Sequence, residues 1–164
     1  MPGFAAKDRF LDYLESHGPA LVGLLRRLCR GRSCDVDDLF QETAMRIWRH
    51  FSDRPILRNP RAWILTIGYR AFLDHLQHHP FHEPMPDSID PRGESPIAIA
   101  ERLDTQHAID TQVAQLPEAI RQVVILHYQG DLTLRQTAEA MGIAGGTVKS
   151  RLNSALQTLR SELT

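Results

Sequence analysis

The sequence predicts an all-α protein: two small helical domains joined by a flexible linker, the C-terminal domain a helix-turn-helix. Three observations carry that prediction. Apolar residues recur at helical spacing through residues 8–79 and again from Leu103 to Leu159. Between these runs, residues 80–96, PFHEPMPDSIDPRGESP, hold five of the ten prolines and a net acidic charge, the composition of a tether. Finally, Leu132 to Arg160, LTLRQTAEAMGIAGGTVKSRLNSALQTLR, reads as two short helices around a tight turn. The domains expected are residues 1–80 and 97–164, with 81–96 as the linker.

The first half opens with DRFLDYLESHGPALVGLLRRLCR, residues 8–30, where Gly18-Pro19 predicts the end of one helix and the start of another. Asp35 to Phe51 gives a sharper pattern, with Val36, Leu39, Phe40, Ala44, Ile47, Trp48 and Phe51 on one apolar stripe. Asp35, Asp37 and Asp38 are expected in its first turn, at the positive end of the helix dipole. Asp38, Gln41 and Glu42 project away from the stripe as an acidic and polar ridge suited to a basic partner helix. A short loop then closes on Asn59 as cap and Pro60 at the first helical position. The next helix is expected to pack through Trp63, Ile64, Ile67, Ala71 and Leu76 and to stop at Pro80.

After the tether, Ser95-Pro96 is expected to cap a helix carrying Leu103, Ile109, Val113 and Leu116, and Leu116-Pro117-Glu118 to restart the chain into a helix through His127. Thr133 and Gln136 have the capping-box spacing, so a short helix begins at Leu134. Gly142 closes it in the left-handed conformation, with Ile143 packing back under the turn. A second helix runs from about Gly146 to Arg160, with Val148, Leu152, Ala155, Leu156 and Leu159 facing a core. Its outer face is Thr147, Ser150, Asn153, Ser154 and Gln157: uncharged hydrogen-bonding groups that suit base edges, with Lys149 and Arg151 beside them for phosphates. The same face would serve equally as solvated surface; its coincidence with the capped helix and glycine turn favours DNA recognition.

An apolar share of 42% over 164 residues suits a globular chain. No stretch approaches the roughly 20 apolar residues of a membrane span, and MPGFAAKDRF lacks a signal's apolar core, so a cytoplasmic protein with no direct membrane insertion is expected. A net charge of -1 is unusual for a DNA-binding protein, but it is unevenly spread. Residues 1–79 carry +3, residues 80–115 carry -5 and residues 116–164 carry +1. So few cations predict weak binding by the isolated chain, hence work inside a larger assembly. Cys29 and Cys34 lack zinc-site spacing and read as ordinary buried or half-buried residues. His75, His78, His79 and His82 have helical spacing, but Pro80 interrupts the helix and no metal is expected there. No nucleophile-base pair or glycine-rich phosphate loop argues for an enzyme or a cofactor.

The run DDLFQET with IW and F behind it, then NPRAWILTI and LDHL, resembles region two of the extracytoplasmic-function (group four) sigma factors of the sigma-70 family. LPEAIRQVVILHYQGDLTLRQTAEAMGIAGGTVKSRL resembles region four of the same group, and the likeness covers about three quarters of the chain in the family's order. The resemblance implies a transcription initiation factor without catalysis of its own that binds core RNA polymerase and directs it to promoter DNA. By it, Asp38, Gln41 and Glu42 would dock on the clamp helices of the largest polymerase subunit. Ser52, Asp53, Arg54, Arg58, Asn59, Arg61, Trp63 and Arg70 would meet the melted -10 element, where a flipped base needs a polar pocket with apolar walls. Thr147, Lys149, Ser150, Arg151, Asn153 and Ser154 would read the -35 element as duplex. An anti-sigma factor is expected by the same resemblance.

Three positions depart from the family's pattern. QHHPFHE stands where a basic tail is usual, and Arg70 where Asn is common. Ala144-Gly145-Gly146 replaces a capping Ser or Pro, which predicts a first turn of the recognition helix that orders on DNA. Two other readings stay open: a decoy of the same fold that titrates an anti-sigma factor, and a stand-alone helix-turn-helix repressor.

Overall fold

The computed structural model describes residues 2–32, 34–51, 58–79 and 106–162. Ser52, Asp53, Arg54, His82, Leu103, the Ser95-Pro96 cap and the linker at 81–96 lie outside them. Every regular element among the described residues is helical.

Helix α1 spans Pro2–Cys29 without a break, with Pro19 inside it. This corrects the expected interruption at Gly18-Pro19. An interior proline costs about 3 kcal/mol by losing a backbone hydrogen bond and crowding the preceding turn. Leu21, Leu24, Leu25 and Leu28 beyond it are all buried, as is Tyr13 before it. At roughly 1.5–3 kcal/mol per buried leucine, holding both halves against one core outweighs the proline.

Helix α2, Val36–Phe51, begins one residue later than the acidic run suggests. Asp35 is its cap and not part of the first turn: its carboxylate accepts from the amides of Asp37 at 2.9 Å and Asp38 at 3.3 Å. Leu39, Thr43 and Ile47 are the buried positions. Thr43 fits because its Oγ1 donates to the Leu39 carbonyl at 2.7 Å, and because Gly68 of the next helix crosses there, its Cβ position 3.7 Å from Thr43 Cγ2. Trp48, expected in the core, is 46% exposed. The Phe10 ring lies 4.9 Å from its indole, and the rest of the indole borders an open groove between α1 and α2.

Helix α3, Pro60–His78, starts as the sequence predicts, with Asn59 Oδ1 accepting from the Ala62 amide at 3.0 Å. The Tyr13 phenol donates to the Pro60 carbonyl at 2.6 Å and fixes this end against α1. Ile64, Leu65, Tyr69, Ala71 and Phe72 are buried, a wider set than one stripe. The reason is position: one side of α3 packs on α1 and α2, the other on the C-terminal helices.

Helix α4 covers residues 106–114. Val113 is buried on it, Leu116 is buried in the turn beyond it, and Ile109 is 48% exposed. Helix α5, Glu118–Val124, runs into a π-helical turn at Ile125–Gln129 that carries His127. The Gly130 amide bonds the Ile125 carbonyl at 2.8 Å and the Leu132 amide bonds the Leu126 carbonyl at 3.2 Å. Helices α6, Leu134–Met141, and α7, Gly145–Glu162, complete the chain.

The two helical groups touch. Tyr69 Oη donates to Gln122 Oε1 at 2.5 Å, Arg32 pairs with Glu118 at 2.5 Å, and Arg30 reaches Thr111 Oγ1 at 3.4 Å. Nothing in the periodicity announced that contact.

Candidate nucleic-acid interface

The helix-turn-helix is built by local chemistry. Thr133 Oγ1 accepts from the Gln136 amide at 3.1 Å, and Gln136 Oε1 accepts from the Thr133 amide at 2.9 Å, so each side chain satisfies an otherwise unpaired donor. Gly142 sits at φ 66°, where a side chain would be strained, and the Ile143 amide returns to the Ala138 carbonyl at 3.1 Å. That turn sets the angle between α6 and α7. The first turn of α7 is helical from Gly145 although Ala144-Gly145-Gly146 supplies no side-chain cap: the Ala144 carbonyl accepts from the amides of Thr147 at 3.0 Å and Val148 at 3.2 Å.

Val148, Leu152 and Ala155 bury one face of α7, while Leu156 and Leu159 are half-buried. On the opposite side Lys149, Ser150, Asn153 and Gln157 are exposed, and Thr147, Arg151 and Ser154 are half-buried. Ser154 Oγ donates to the Ser150 carbonyl at 3.1 Å, which holds that hydroxyl against the helix. No carboxylate occurs on α7 before Glu162, so this face offers donors and acceptors to a polyanion without repelling it.

The residues expected at a melted strand do not form one cluster. Arg58, Asn59 and Arg70 are exposed, but the Asn59 side chain is engaged as the cap of α3. Trp63 is half-buried, its ring 5.9 Å from that of Tyr13. At about 100° per residue Trp63 and Arg70 share a face of α3, and Arg61 points the other way. Accordingly, Arg61 reaches the second helical group, donating to the Gly130 carbonyl and lying 3.8 Å from the Asp131 carboxylate.

On α2, Asp38 and Gln41 are exposed and Glu42 is half-buried. Arg46 spans Glu42 and Asp74, at 2.8 Å to each carboxylate, which neutralises much of the ridge's charge and ties α2 to α3. Beside the ridge, an apolar groove lies between α1 and α2, lined by Phe10, Leu11, Met45 and Trp48 with Lys7 and Arg49 at its edge. Helical periodicity alone does not mark this groove. Its signal was Met45, three to four positions beyond Gln41 and Glu42 and therefore on their face of the helix.

Of the histidines, His75 and His79 stack at 4.5 Å, and the His78 ring bonds the Asp74 carbonyl at 2.7 Å. Among the described residues no group of three or more potential ligands gathers to hold a metal ion, and none of their helices is long and apolar enough to cross a membrane.

Comparison with known proteins agrees with this geometry. Residues 13–79 match the family described as Sigma-70 region 2, and residues 113–161 match Sigma-70, region 4. The chain is 32% identical over 155 residues to the ECF RNA polymerase sigma factor SigL of Mycobacterium tuberculosis, covering 91% of this chain and 85% of that one. It is 28% identical over 159 residues to the ECF RNA polymerase sigma factor RpoE of Cereibacter sphaeroides, covering 94% and 86%. Its fold is similar to that of the sigma factor RpoE crystallised with the anti-sigma factor NepR from Bartonella quintana, with a TM-score of 0.73, 22% identity and 94% and 96% coverage. CnrH in complex with the cytosolic domain of CnrY is also similar, with a TM-score of 0.65, 23% identity and 96% and 88% coverage.

Proposed function

Because the chain belongs to the ECF RNA polymerase sigma factors, we propose that its two helical groups act together to bring core polymerase to particular promoters. Residues 1–80 bind the polymerase and the -10 element, residues 97–164 bind the -35 element, and residues 81–96 set the reach between them. The observation that carries the reading is the outer face of α7, where Lys149, Ser150 and Asn153 stand exposed on a helix fixed by a capped and glycine-closed turn. Such a face reads duplex bases when something else supplies most of the affinity.

On α2, Asp38, Gln41 and Glu42 are the polymerase-docking ridge, binding the clamp helices of its largest subunit, and Met45 and Trp48 extend it with apolar area. Ser52, Asp53, Arg54, Arg58 and Asn59 meet the melted strand together with Arg61, Trp63 and Arg70 of α3. Arg61 serves that strand only after leaving Gly130 and Asp131, so productive binding separates the two helical groups. The protein works in the cytoplasm as a specificity subunit without a reaction of its own. The likeness to a sigma factor solved in complex with the anti-sigma factor NepR, and to CnrH in complex with the cytosolic domain of CnrY, supports a proteinaceous anti-sigma factor for this chain as well.

The test is run-off transcription with purified core polymerase over a library of genomic fragments. Transcripts sharing two upstream elements at fixed separation are the expected result. Polymerase binding without any promoter-specific transcript would leave the decoy reading, and tight sequence-specific binding of duplex by the chain alone would favour a repressor.

A further inference from the structure

The folded chain already gives Arg61 the kind of partner that a nucleic-acid strand would bring. Its Nη1 donates to the Gly130 carbonyl and its Nη2 lies 3.8 Å from the Asp131 carboxylate, so both terminal nitrogens of the guanidinium meet one corner of the C-terminal helical group. A carbonyl and a carboxylate oxygen side by side present what a phosphodiester presents, two acceptors for the planar fork of an arginine.

The corner is held in that pose by its own backbone. The π-helical turn Ile125–Gln129 ends at Gly130, whose amide returns to the Ile125 carbonyl at 2.8 Å. Asp131 then reverses the chain at φ 54°, and among the described residues it is the one non-glycine with a positive φ. Beyond the reversal the Leu132 amide reaches the Leu126 carbonyl at 3.2 Å, the Leu132 side chain is buried, and the His127 ring bonds the Leu132 carbonyl at 2.6 Å. Glycine would take this conformation at no steric cost. Aspartate takes it more readily than most residues with a side chain, and it brings a carboxylate to Arg61. Backbone strain is thus accepted at the position that supplies the charge.

We propose, on the reading of Arg61 as a strand contact, that the Gly130–Asp131 corner is an intramolecular substitute for the melted strand. It occupies Arg61 in the free chain, helps to keep the two helical groups together, and yields to single-stranded DNA. The pairs of Arg32 with Glu118 and of Tyr69 with Gln122, each at 2.5 Å, close the same seam. Asp131 is 79% exposed, and an exposed pair at 3.8 Å holds weakly by itself. That weakness suits the role, since a corner that gripped Arg61 tightly would block the strand outright, whereas a weak one sets an open fraction that a ligand can shift. Core polymerase, by holding the two helical groups apart, releases Arg61 before the strand arrives, so the competition acts on the free chain alone.

The experiment compares the full chain alone with the chain bound to core polymerase. Asparagine tolerates a positive φ, so Asp131→Asn removes the charge and keeps the turn. Single-molecule energy transfer between dyes on unnatural residues at the exposed positions Arg49 and Glu162 reads the ratio of open to closed free chain. That ratio should rise about two- to fivefold in Asp131→Asn, and also in Arg61→Ala. Anisotropy with a fluorescent pool of random single-stranded oligonucleotides at low salt should show the free Asp131→Asn chain binding more tightly by a similar factor, and the holoenzyme unchanged. Adding Arg61→Ala should abolish the gain. An unaltered open fraction in both variants, or an equal gain in free chain and holoenzyme, would overturn the proposal, the second outcome showing that Asp131 merely repels DNA. The energy-transfer measurement involves neither DNA nor polymerase, so its failure sinks the corner alone; holoenzyme binding that is indifferent to Arg61→Ala would instead remove the premise that Arg61 meets the strand.

Discussion

The phenol of Tyr69, on α3, donates to the side-chain oxygen of Gln122, on α5, at 2.5 Å, and both residues are buried. Gln122 is itself held by a hydrogen bond from its Nε2 to Glu118 at 2.8 Å, so it cannot turn to find another donor without losing that one. Tyr69→Phe should therefore leave a buried acceptor unpaired and destabilise the chain by about 1–3 kcal/mol in urea unfolding. Burial, with help from the Glu118 charge and against that of Arg151, pushes the Tyr69 phenol up to about 12 from 10.0. A raised folded value means the contribution is fully present below pH 10 and is lost as pH rises towards about 12. Alkaline unfolding over that window should be flatter in the phenylalanine variant; an unchanged profile would refute the assignment.

Glu118 gives the same contact an acid limit. Burial pushes its carboxyl up, but the Gln122 hydrogen bond and the charges of Arg121 and Arg32 outweigh burial and hold it below the ordinary 4.5. A depressed folded value contributes stability above pH 4.5 that disappears as pH falls through the folded value. Small-angle X-ray scattering should show the chain expanding as pH drops below that point. Glu118→Gln should weaken the contact at neutral pH by on the order of 1 kcal/mol, since the pair is partly open to solvent, and should blunt the acid response. Equal acid expansion in the variant and the parent would sink the idea.

Gly130 and Gly68 look alike in the sequence and should respond differently to alanine. A Cβ on Gly130 would stand 2.6 Å from the Leu126 backbone carbonyl, so the π-helical turn itself must move. A Cβ on Gly68 meets Leu21 Cδ1, the free end of a side chain that has other rotamers. Gly130→Ala is expected to cost about 1–3 kcal/mol of stability and Gly68→Ala less, by thermal unfolding of the two variants side by side. The reverse order would show that the core at Leu21 is the stiffer of the two.

Features governed by neighbours in the chain were legible in advance. The Asn59-Pro60 start, the Thr133 and Gln136 capping box and the Gly142 closure each depend on a few adjacent residues, and each appears as expected. Features decided by distant partners were not. Pro19 signalled a helix end, but the leucines beyond it are buried against α2 and α3, and that burial wins. Tyr69 and Phe72 fell outside the single stripe because a second helical group covers their side of α3. Arg61 shows the same limit within the candidate site. Its cationic side chain suited a nucleic acid, but its partners Gly130 and Asp131 lie far along the chain, where no spacing rule connects them.

The outer face of α7 should separate two kinds of contact. Lys149 is exposed and positively charged, so as a phosphate contact it contributes the same amount whatever the sequence beneath it. Asn153, one turn further along and exposed, carries an amide that pairs with a base edge and so discriminates. In holoenzyme binding assays, Lys149→Ala should weaken all promoters alike and reduce the salt dependence by a slope of about one. Asn153→Ala should cost about 1–3 kcal/mol on the preferred -35 sequence, little on a mismatched one, and leave the salt dependence unchanged. Neither change touches the core formed by Val148, Leu152 and Ala155, so unfolding curves should coincide with the parent's. Loss of discrimination in the lysine variant and uniform loss in the asparagine variant would mean that α7 lies in the groove in a different register from the one argued.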